Sequence, residues 1–152
     1  IYSSMALRDD LSSSNSYYIV EIKSLKRMLD AASKEGHPVL MFVDEVLRGT
    51  NTVERIAASS EILKNLNTGR ALCFAATHDI ELTTILKDCY SNYHFQEEVT
   101  EDEVKFDYKL YAGPATTRNA IKLLNVIGYD KNIIKGAEQR AMHFLTDGNW
   151  KS

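Results

Sequence analysis

The first part of the chain changes from a helical spacing of hydrophobic residues to a strand-like run. Five hydrophobic residues recur at three-to-four spacing behind a polar segment and predict an amphipathic helix: Tyr18, Ile22, Leu25, Leu29 and Ala32. Gly36 and Pro38 end this helix. The apolar run from Val39 to Val43 then leads directly into Asp44 and Glu45, a pattern typical of a strand that is buried on both faces.

A second helix and a second strand follow. Asn51 or Thr52 can cap the helix, which ends at Gly69, and the run from Ala71 to Ala76 repeats the buried-strand pattern. Strand, helix and strand in this order predict a right-handed crossover within a parallel sheet, where functional residues collect beyond the carboxyl ends of the strands. Four polar residues fall at that edge: Asp44, Glu45, Thr77 and His78.

The hydrophobic period changes to two between Tyr93 and Tyr111, with Val104, Phe106, Tyr108 and Leu110 on one face behind an acidic turn at 100–103. This pattern predicts an antiparallel hairpin flanking the parallel sheet. Two helices then return, one from about Thr117 to Ile127, ended by Gly128, and one capped by Asp130. The predicted fold is therefore α/β, with a sheet of parallel strands, a flanking antiparallel hairpin and C-terminal helices.

Composition and charge exclude several classes of protein. A chain of 152 residues with 44% hydrophobic and 26% charged residues is globular rather than disordered. A net charge of -3 argues against binding of DNA or an anionic membrane by the whole surface, and no apolar run approaches the ~20 residues of a membrane helix. Cys73 and Cys89 indicate neither a zinc site nor a disulfide framework, so a cytoplasmic location is expected. The first residue, Ile1, predicts a fragment of a longer protein.

Asp44 and Glu45 are the first candidates for chemistry. Adjacent carboxylates at the tip of a buried strand suit phosphoryl transfer, in which one carboxylate organises Mg²⁺ and the next orients or deprotonates the attacking water. The structural alternative is that these residues only end the strand and cap the next turn. For His78 the corresponding alternative is a residue of a turn whose ring nitrogens are hydrogen-bonded and have no catalytic function.

Three ordered motifs resemble the ATPase domain of the MutS family. The Walker B strand and the loop after it are matched by VLMFVDEVLRGTNTVERIAAS, and the switch histidine segment by FAATHDIELT. Upstream, the segment equivalent to the signature loop of ABC-type ATPases is matched by DDLSSSNSYYIVEI. The last part of the chain, YKLYAGPATTRNAIKLLNVIGYDKNIIKGAEQRA, looks like the end of the same domain. The resemblance implies that residues 1–152 are the C-terminal portion of a MutS-type ATPase domain (domain V), with a partial P-loop NTPase fold of the ABC type.

The resemblance also implies roles for individual residues. Asp44 becomes the carboxylate that holds Mg²⁺ through water, Glu45 the catalytic base, and His78 the switch residue near the γ-phosphate of ATP. The segment that would contact ATP bound by a second subunit consists of Ser14, Asn15 and Ser16. The loop that would cross the dimer interface consists of Gly49, Thr50, Asn51 and Thr52.

These roles imply a homodimeric ATPase that uses ATP and Mg²⁺, contacts DNA through other domains and has no membrane partner. The sequence contains no G-x-x-x-x-G-K-[ST] motif, so this chain alone is not expected to hydrolyse ATP. The segment VLRGTNTVERIAAS differs in sequence from that of typical mismatch-repair members of the family. This difference predicts a divergent branch of the MutS family. Two alternatives stay open: a dimerisation and interaction module without hydrolysis, and an ABC-type ATPase of the transporter or chromosome-organising class.

Overall fold

The computed structural model describes residues 1–5, 17–34, 36–100, 103–116 and 119–150. The chain divides into two compact units, Ile1–Asn92 and Tyr93–Ser152. The first unit contains, in chain order, β1 (Tyr2–Ser4), α1 (Tyr17–Ser33), β2 (Val39–Asp44), α2 (Thr52–Leu66), β3 (Ala71–Ala76) and α3 (Ile80–Ile85).

The three strands of the first unit form a parallel sheet in the order β1-β2-β3. Val39 is in register with Ala71 at one end of the central pair, and Asp44 is in register with Ala76 at the other. This arrangement confirms the predicted strand, helix and strand with a parallel sheet. The sequence predicts neither β1 nor the short helix α3, because three and six residues are too few to show a clear period.

The predicted first helix is confirmed as α1, but the helix buries a different stripe from the one expected. Ile22 is 38% exposed, whereas Glu21 is only 6% exposed. The buried stripe follows helical spacing and consists of Glu21, Leu25, Met28 and Ala32. A carboxylate on the core side of a helix is uncommon and requires polar partners.

The core of the first unit lies between the sheet and its helices. Each large aliphatic side chain that is fully buried contributes about 1.5–3 kcal/mol, so this cluster is the main stabilising element of the unit. Its members are Leu25, Met28, Ala32, Met41, Val43, Val46, Leu47, Leu63, Leu66, Leu82 and Leu86. Val46 and Leu47 belong to the loop after β2, which is therefore anchored in the core.

One face of the sheet is open in the described part of the chain. Phe42 is 39% exposed, Leu72 60% and Phe74 54%, and the rings of Phe42 and Phe74 stack at 5.5 Å between centroids. The prediction that these strands are buried on both faces is therefore wrong for this chain. Their continuous apolar runs reflect alternation between a covered face and an uncovered one.

The second unit contains β4 (Tyr93–His94), β5 (Glu97–Val99), β6 (Val104–Phe106), β7 (Tyr111–Ala112), α4 (Ala120–Ile127) and α5 (Lys131–Asp147). β5 pairs antiparallel with β6 and β4 with β7, which confirms the predicted antiparallel hairpin. The expected alternation up to Leu110 stops at Phe106, because Tyr108 takes a left-handed conformation (φ 55°).

The two C-terminal helices are confirmed together with their end signals. Gly128 ends α4 with φ 90°, and the Asp130 side chain caps α5 by accepting the N–H of Asn132 at 2.8 Å. Among the described helices, none combines the length and the apolar character that crossing a bilayer requires. The α/β class and the order of elements are thus as predicted.

Candidate functional site

Asp44, Glu45 and His78 lie at the carboxyl edge of the parallel sheet. Asp44 is the last residue of β2 and is half-buried, and His78 follows β3 by two residues. The backbone N–H of Glu45 donates to the carbonyl of Ala76 at 2.9 Å, which extends the pairing of the two strands by one bond. Two segments that are distant in sequence are thereby placed side by side, as predicted for strand ends in a parallel sheet.

The Glu45 carboxylate lies between a histidine and an arginine. Its Oε1 is 3.1 Å from Nε2 of His78, and its Oε2 is 2.5 Å from Nε of Arg48. The Arg48 contact has the distance of an ion pair but not the direction of a hydrogen bond, so Glu45 Oε2 is buried without a hydrogen-bond donor among the described residues. The His78 side chain is 93% exposed, whereas that of Glu45 is 18% exposed.

Backbone conformation fixes the direction of the Glu45 side chain. The segment Glu45–Arg48, called here the 45–48 loop, contains two residues in the left-handed region, Glu45 at φ 52° and Leu47 at φ 57°. Each left-handed residue other than glycine costs roughly 1–2 kcal/mol, so the loop requires contacts that hold it.

Those contacts come from two helices. The Leu47 N–H donates to Glu21 Oε1 of α1 at 2.5 Å, and the hydroxyl of Ser59 in α2 donates to the Val46 carbonyl at 3.3 Å. A backbone hydrogen bond to a charged group contributes about 1.5–3 kcal/mol, which is comparable with the cost of the left-handed conformations. Glu21 was not predicted from the sequence as a functional residue, although it precedes Leu25 by one helical turn and so lies in the buried stripe of α1.

Burial sets the electrostatics of Glu21. Burial raises the pKa of this carboxyl above its ordinary value, whereas the backbone N–H groups of Leu47 and Arg48 and the Arg48 charge lower it. The nearby Glu45 carboxylate raises it again. Glu45 belongs to the 45–48 loop and Glu21 accepts a hydrogen bond from that loop, so the two acidic groups lie near each other.

Residues 1–145 match the model of the family MutS domain V. The chain belongs to the MutS family. It is 26% identical over 137 residues to the DNA mismatch repair protein MutS of Thermus thermophilus, and the same values hold for MutS of Thermus caldophilus and of a second strain of Thermus thermophilus. The alignment covers 90% of this chain and 16% of each relative, so the chain corresponds to a small part of the curated proteins that it matches.

Within this MutS domain V, the predicted interface loop begins directly after the 45–48 loop and ends at the first residue of α2. Gly49 and Asn51 are exposed, and the side chain of Asn51 caps α2 by accepting the N–H of Glu54 at 3.0 Å. The Thr50 hydroxyl donates to Glu54 Oε2 at 3.3 Å, and the exposed Thr52 is the first residue of α2. The loop thus performs the structural function of a helix cap.

Gly49 also packs closely on α1. A Cβ at this position would lie 3.1 Å from Cδ2 of Tyr18 and 3.3 Å from its Cβ, so the first turn of α1 contacts the chain on both sides of Arg48. The three residues expected to contact ATP from a second MutS subunit, Ser14, Asn15 and Ser16, lie outside the described residues.

The donor set at the sheet edge suits Mg²⁺ only in part. Among the described residues, no group of three or more His, Cys, Asp or Glu side chains could hold a metal ion. Mg²⁺ usually takes one or two carboxylates and completes its octahedral shell with water and substrate phosphate oxygens. Asp44, half-buried at the end of β2, can supply one carboxylate to such an open shell. This side chain could hold Mg²⁺ together with a nucleotide but could not form a closed metal cage.

Proposed function

We propose that residues 1–152 form the C-terminal portion of a MutS-type ATPase domain, in which Glu45 is the general base and His78 contacts the γ-phosphate of ATP. The observation that carries this proposal is the separation of 3.1 Å between Glu45 Oε1 and His78 Nε2 at the carboxyl edge of the sheet. A base and a phosphate contact must lie next to each other, because the attacking water and the γ-phosphate meet within van der Waals distance.

Each side chain then has a distinct task. Glu45 accepts a proton from the attacking water, which approaches on the side of the carboxylate that faces His78. His78 is 93% exposed and can turn its ring toward a bound phosphate. Asp44 holds Mg²⁺ through water, and the bound metal supplies neutralising charge for the phosphate oxygens.

The proposal extends to a second copy of the chain. The segment from Ser14 to Ser16 contacts ATP held by the partner subunit, and the loop from Gly49 to Thr52 lies at the interface between the subunits. In this arrangement ATP binding and hydrolysis at the dimer interface are coupled to DNA recognition by other domains of the protein. A net charge of -3 supports placing the DNA contacts outside this chain.

The base assignment is tested by steady-state ATP hydrolysis in the full-length protein. Glu45→Gln keeps the size of the side chain but removes its basicity, and turnover is expected to fall roughly 10²–10⁴-fold. Binding of a fluorescent ATP analogue should persist, since the amide leaves the site filled. The matched control is Glu61→Gln, which changes an exposed glutamate on α2.

Unchanged turnover in Glu45→Gln would remove the general base from the proposal. Absence of ATP hydrolysis in the unaltered full-length protein would favour the alternative of a dimerisation module without hydrolysis. Analytical ultracentrifugation with and without ATP then shows whether the dimer depends on nucleotide.

A further inference from the structure

Glu45 belongs to the 45–48 loop, whose backbone donates a hydrogen bond to a buried acid, Glu21. The 45–48 loop places two left-handed residues, Glu45 and Leu47, on either side of Val46. Val46 and Leu47 are each 3% exposed, so their side chains point into the core and that of Glu45 points to His78. A change in the backbone at Leu47 would therefore rotate the carboxylate of Glu45 away from its place.

We propose that Glu21 is a positioning residue for Glu45, which it holds by accepting the N–H of Leu47. The inference deepens the proposed ATPase function and rests on the assignment of Glu45 as the base. Glu21 Oε1 accepts this N–H at 2.5 Å from within a side chain that is 6% exposed. Such a buried acceptor is largely shielded from bulk water, and this strengthens its hydrogen bond to the loop.

Packing alone does not account for an acid at this position. Glu21 continues the buried stripe of Leu25, Met28 and Ala32, where an apolar side chain would avoid the cost of burying a carboxylate. Burial raises the pKa of this carboxyl, which is a sign of that cost. The 45–48 loop presents backbone N–H groups to this position. A carboxylate can accept hydrogen bonds from them, whereas an apolar side chain cannot.

Glu21 lies on the helix that follows the proposed trans segment in the sequence. Helix α1 begins at Tyr17, directly after the segment from Ser14 to Ser16, and Glu21 lies one turn into this helix. Glu21 contacts the loop that carries Glu45, so a shift of α1 would act on Glu45 through this contact.

The test compares two substitutions at Glu21 in the full-length protein. Glu21→Leu removes the acceptor but fits the apolar stripe, and kcat for ATP hydrolysis should fall about 10- to 100-fold, because small misplacements of a catalytic group have effects of this size. The KM for ATP should stay within about threefold, since substrate binding is not altered. Glu21→Gln keeps an acceptor oxygen in the same place and should restore kcat to within about threefold of the unaltered protein.

A neighbouring pair of serines supplies an independent test that does not depend on Glu21→Leu folding. The Ser59 hydroxyl donates to Val46 in the loop, whereas that of Ser60 donates to Ala57 within its own helix at 2.8 Å. Ser59→Ala should lower kcat several-fold with little change in KM, and Ser60→Ala should leave both unchanged. Hydrogen exchange of the 45–48 loop should quicken in Glu21→Leu and Ser59→Ala but not in Ser60→Ala.

The outcomes separate this inference from the function on which it rests. If Glu45→Gln abolishes turnover while a folded Glu21→Leu keeps the kcat of the unaltered protein, the positioning function is wrong and the base assignment stands. Equal losses in Glu21→Gln and Glu21→Leu, or equal kcat values in Ser59→Ala and Ser60→Ala, would also overturn it. Unchanged turnover in Glu45→Gln would instead overturn the proposed function itself.

Discussion

Arg55 donates two hydrogen bonds to the carboxylate of Asp79, from Nε at 2.8 Å and from Nη2 at 2.6 Å. This pair joins the first turn of α2 to the residue that follows His78, and the two side chains are only 22% and 15% exposed. Asp79 occupies the N-cap position of α3, yet its side chain caps no N–H of that helix and instead accepts both hydrogen bonds from Arg55. The hydrogen bonds to Asp79 also raise the pKa of Arg55.

The first prediction concerns the loss of this pair. Arg55→Ala leaves the partly buried carboxylate of Asp79 without its bidentate partner, and the free energy of unfolding should fall by about 1–3 kcal/mol. Arg55→Lys should recover only part of the loss, since an ammonium group cannot form the two parallel bonds. Denaturant unfolding of the full-length variants measures both effects. Arg70→Ala, at an exposed arginine, is the control and should change stability by less than about 0.5 kcal/mol.

An equal and small effect of Arg55→Ala and Arg70→Ala would show that the Arg55–Asp79 pair contributes no more than a surface contact. The buried fractions of the two side chains argue against that result, because the interaction is largely shielded from water and salt.

The second prediction is a pH dependence that arises from Glu21. Burial raises the pKa of this carboxyl above its ordinary value of 4.5, so the native state binds more protons than the unfolded state between these two values. The free energy of unfolding therefore falls as the pH rises through this window. Glu21→Gln lacks the titration, and the unaltered protein should lose stability relative to this variant as the pH rises above 4.5 through the raised pKa of Glu21.

The measurement is the difference in free energy of unfolding between the two proteins at each pH, which cancels the titration of all other groups. A difference that stays constant with pH, or one that changes in the opposite direction, would contradict a raised pKa at Glu21. A constant offset added to the predicted slope is compatible with it, because the Gln amide N–H₂ group also has to be accommodated.

Local signals in the sequence account for most of the correctly predicted elements. Asn51, Asp130 and Gly128 each act within one helical turn of their own position, so the type of residue and its place in the pattern suffice to predict them. The carboxyl edge with Asp44, Glu45 and His78 was predictable for a similar reason, because a parallel sheet brings equivalent strand ends together.

Contacts between distant residues could not be predicted in this way. Glu21 and Leu47 are separated by 26 residues, and Arg55 and Asp79 by 24. Whether such residues meet depends on how the helices rotate on the sheet, and the apolar period of α1 allowed two neighbouring stripes. The exposure of Phe42 shows the same limit, because an apolar strand residue does not reveal whether another element covers it.

The third prediction concerns the close approach of Gly49 to α1. In Gly49→Ala the new Cβ would lie 3.1 Å from Cδ2 of Tyr18, so the ring or the loop has to move, and the free energy of unfolding should fall by about 1–3 kcal/mol. Gly69→Ala is the matched control, since a Cβ there meets nothing within 4 Å. That variant should be neutral or more stable by up to about 1 kcal/mol, through loss of freedom in the unfolded chain. Equal stability of the two variants would show that Tyr18 yields without cost.

The fourth prediction concerns the C-terminal end of α2. The Tyr90 hydroxyl donates to the Leu63 carbonyl at 2.9 Å. Leu63 lies in the last turn of α2, where the N–H of Asn67 bonds to Lys64 instead, so this carbonyl is among those that a helix end leaves without a helical partner. Burial raises the pKa of Tyr90, which keeps its hydroxyl protonated as a donor.

Tyr90→Phe should therefore lower the free energy of unfolding by about 0.5–1.5 kcal/mol, because the Leu63 carbonyl loses its donor in a region that water reaches poorly. Hydrogen exchange at the end of α2 should rise in the same variant, whereas the rest of the helix keeps its protection. Tyr93→Phe removes a hydroxyl from a side chain that is 60% exposed and should leave stability unchanged. Equal stability of the two variants would mean that water replaces the Tyr90 hydroxyl at Leu63 without cost, and the end of α2 would then depend on apolar packing alone.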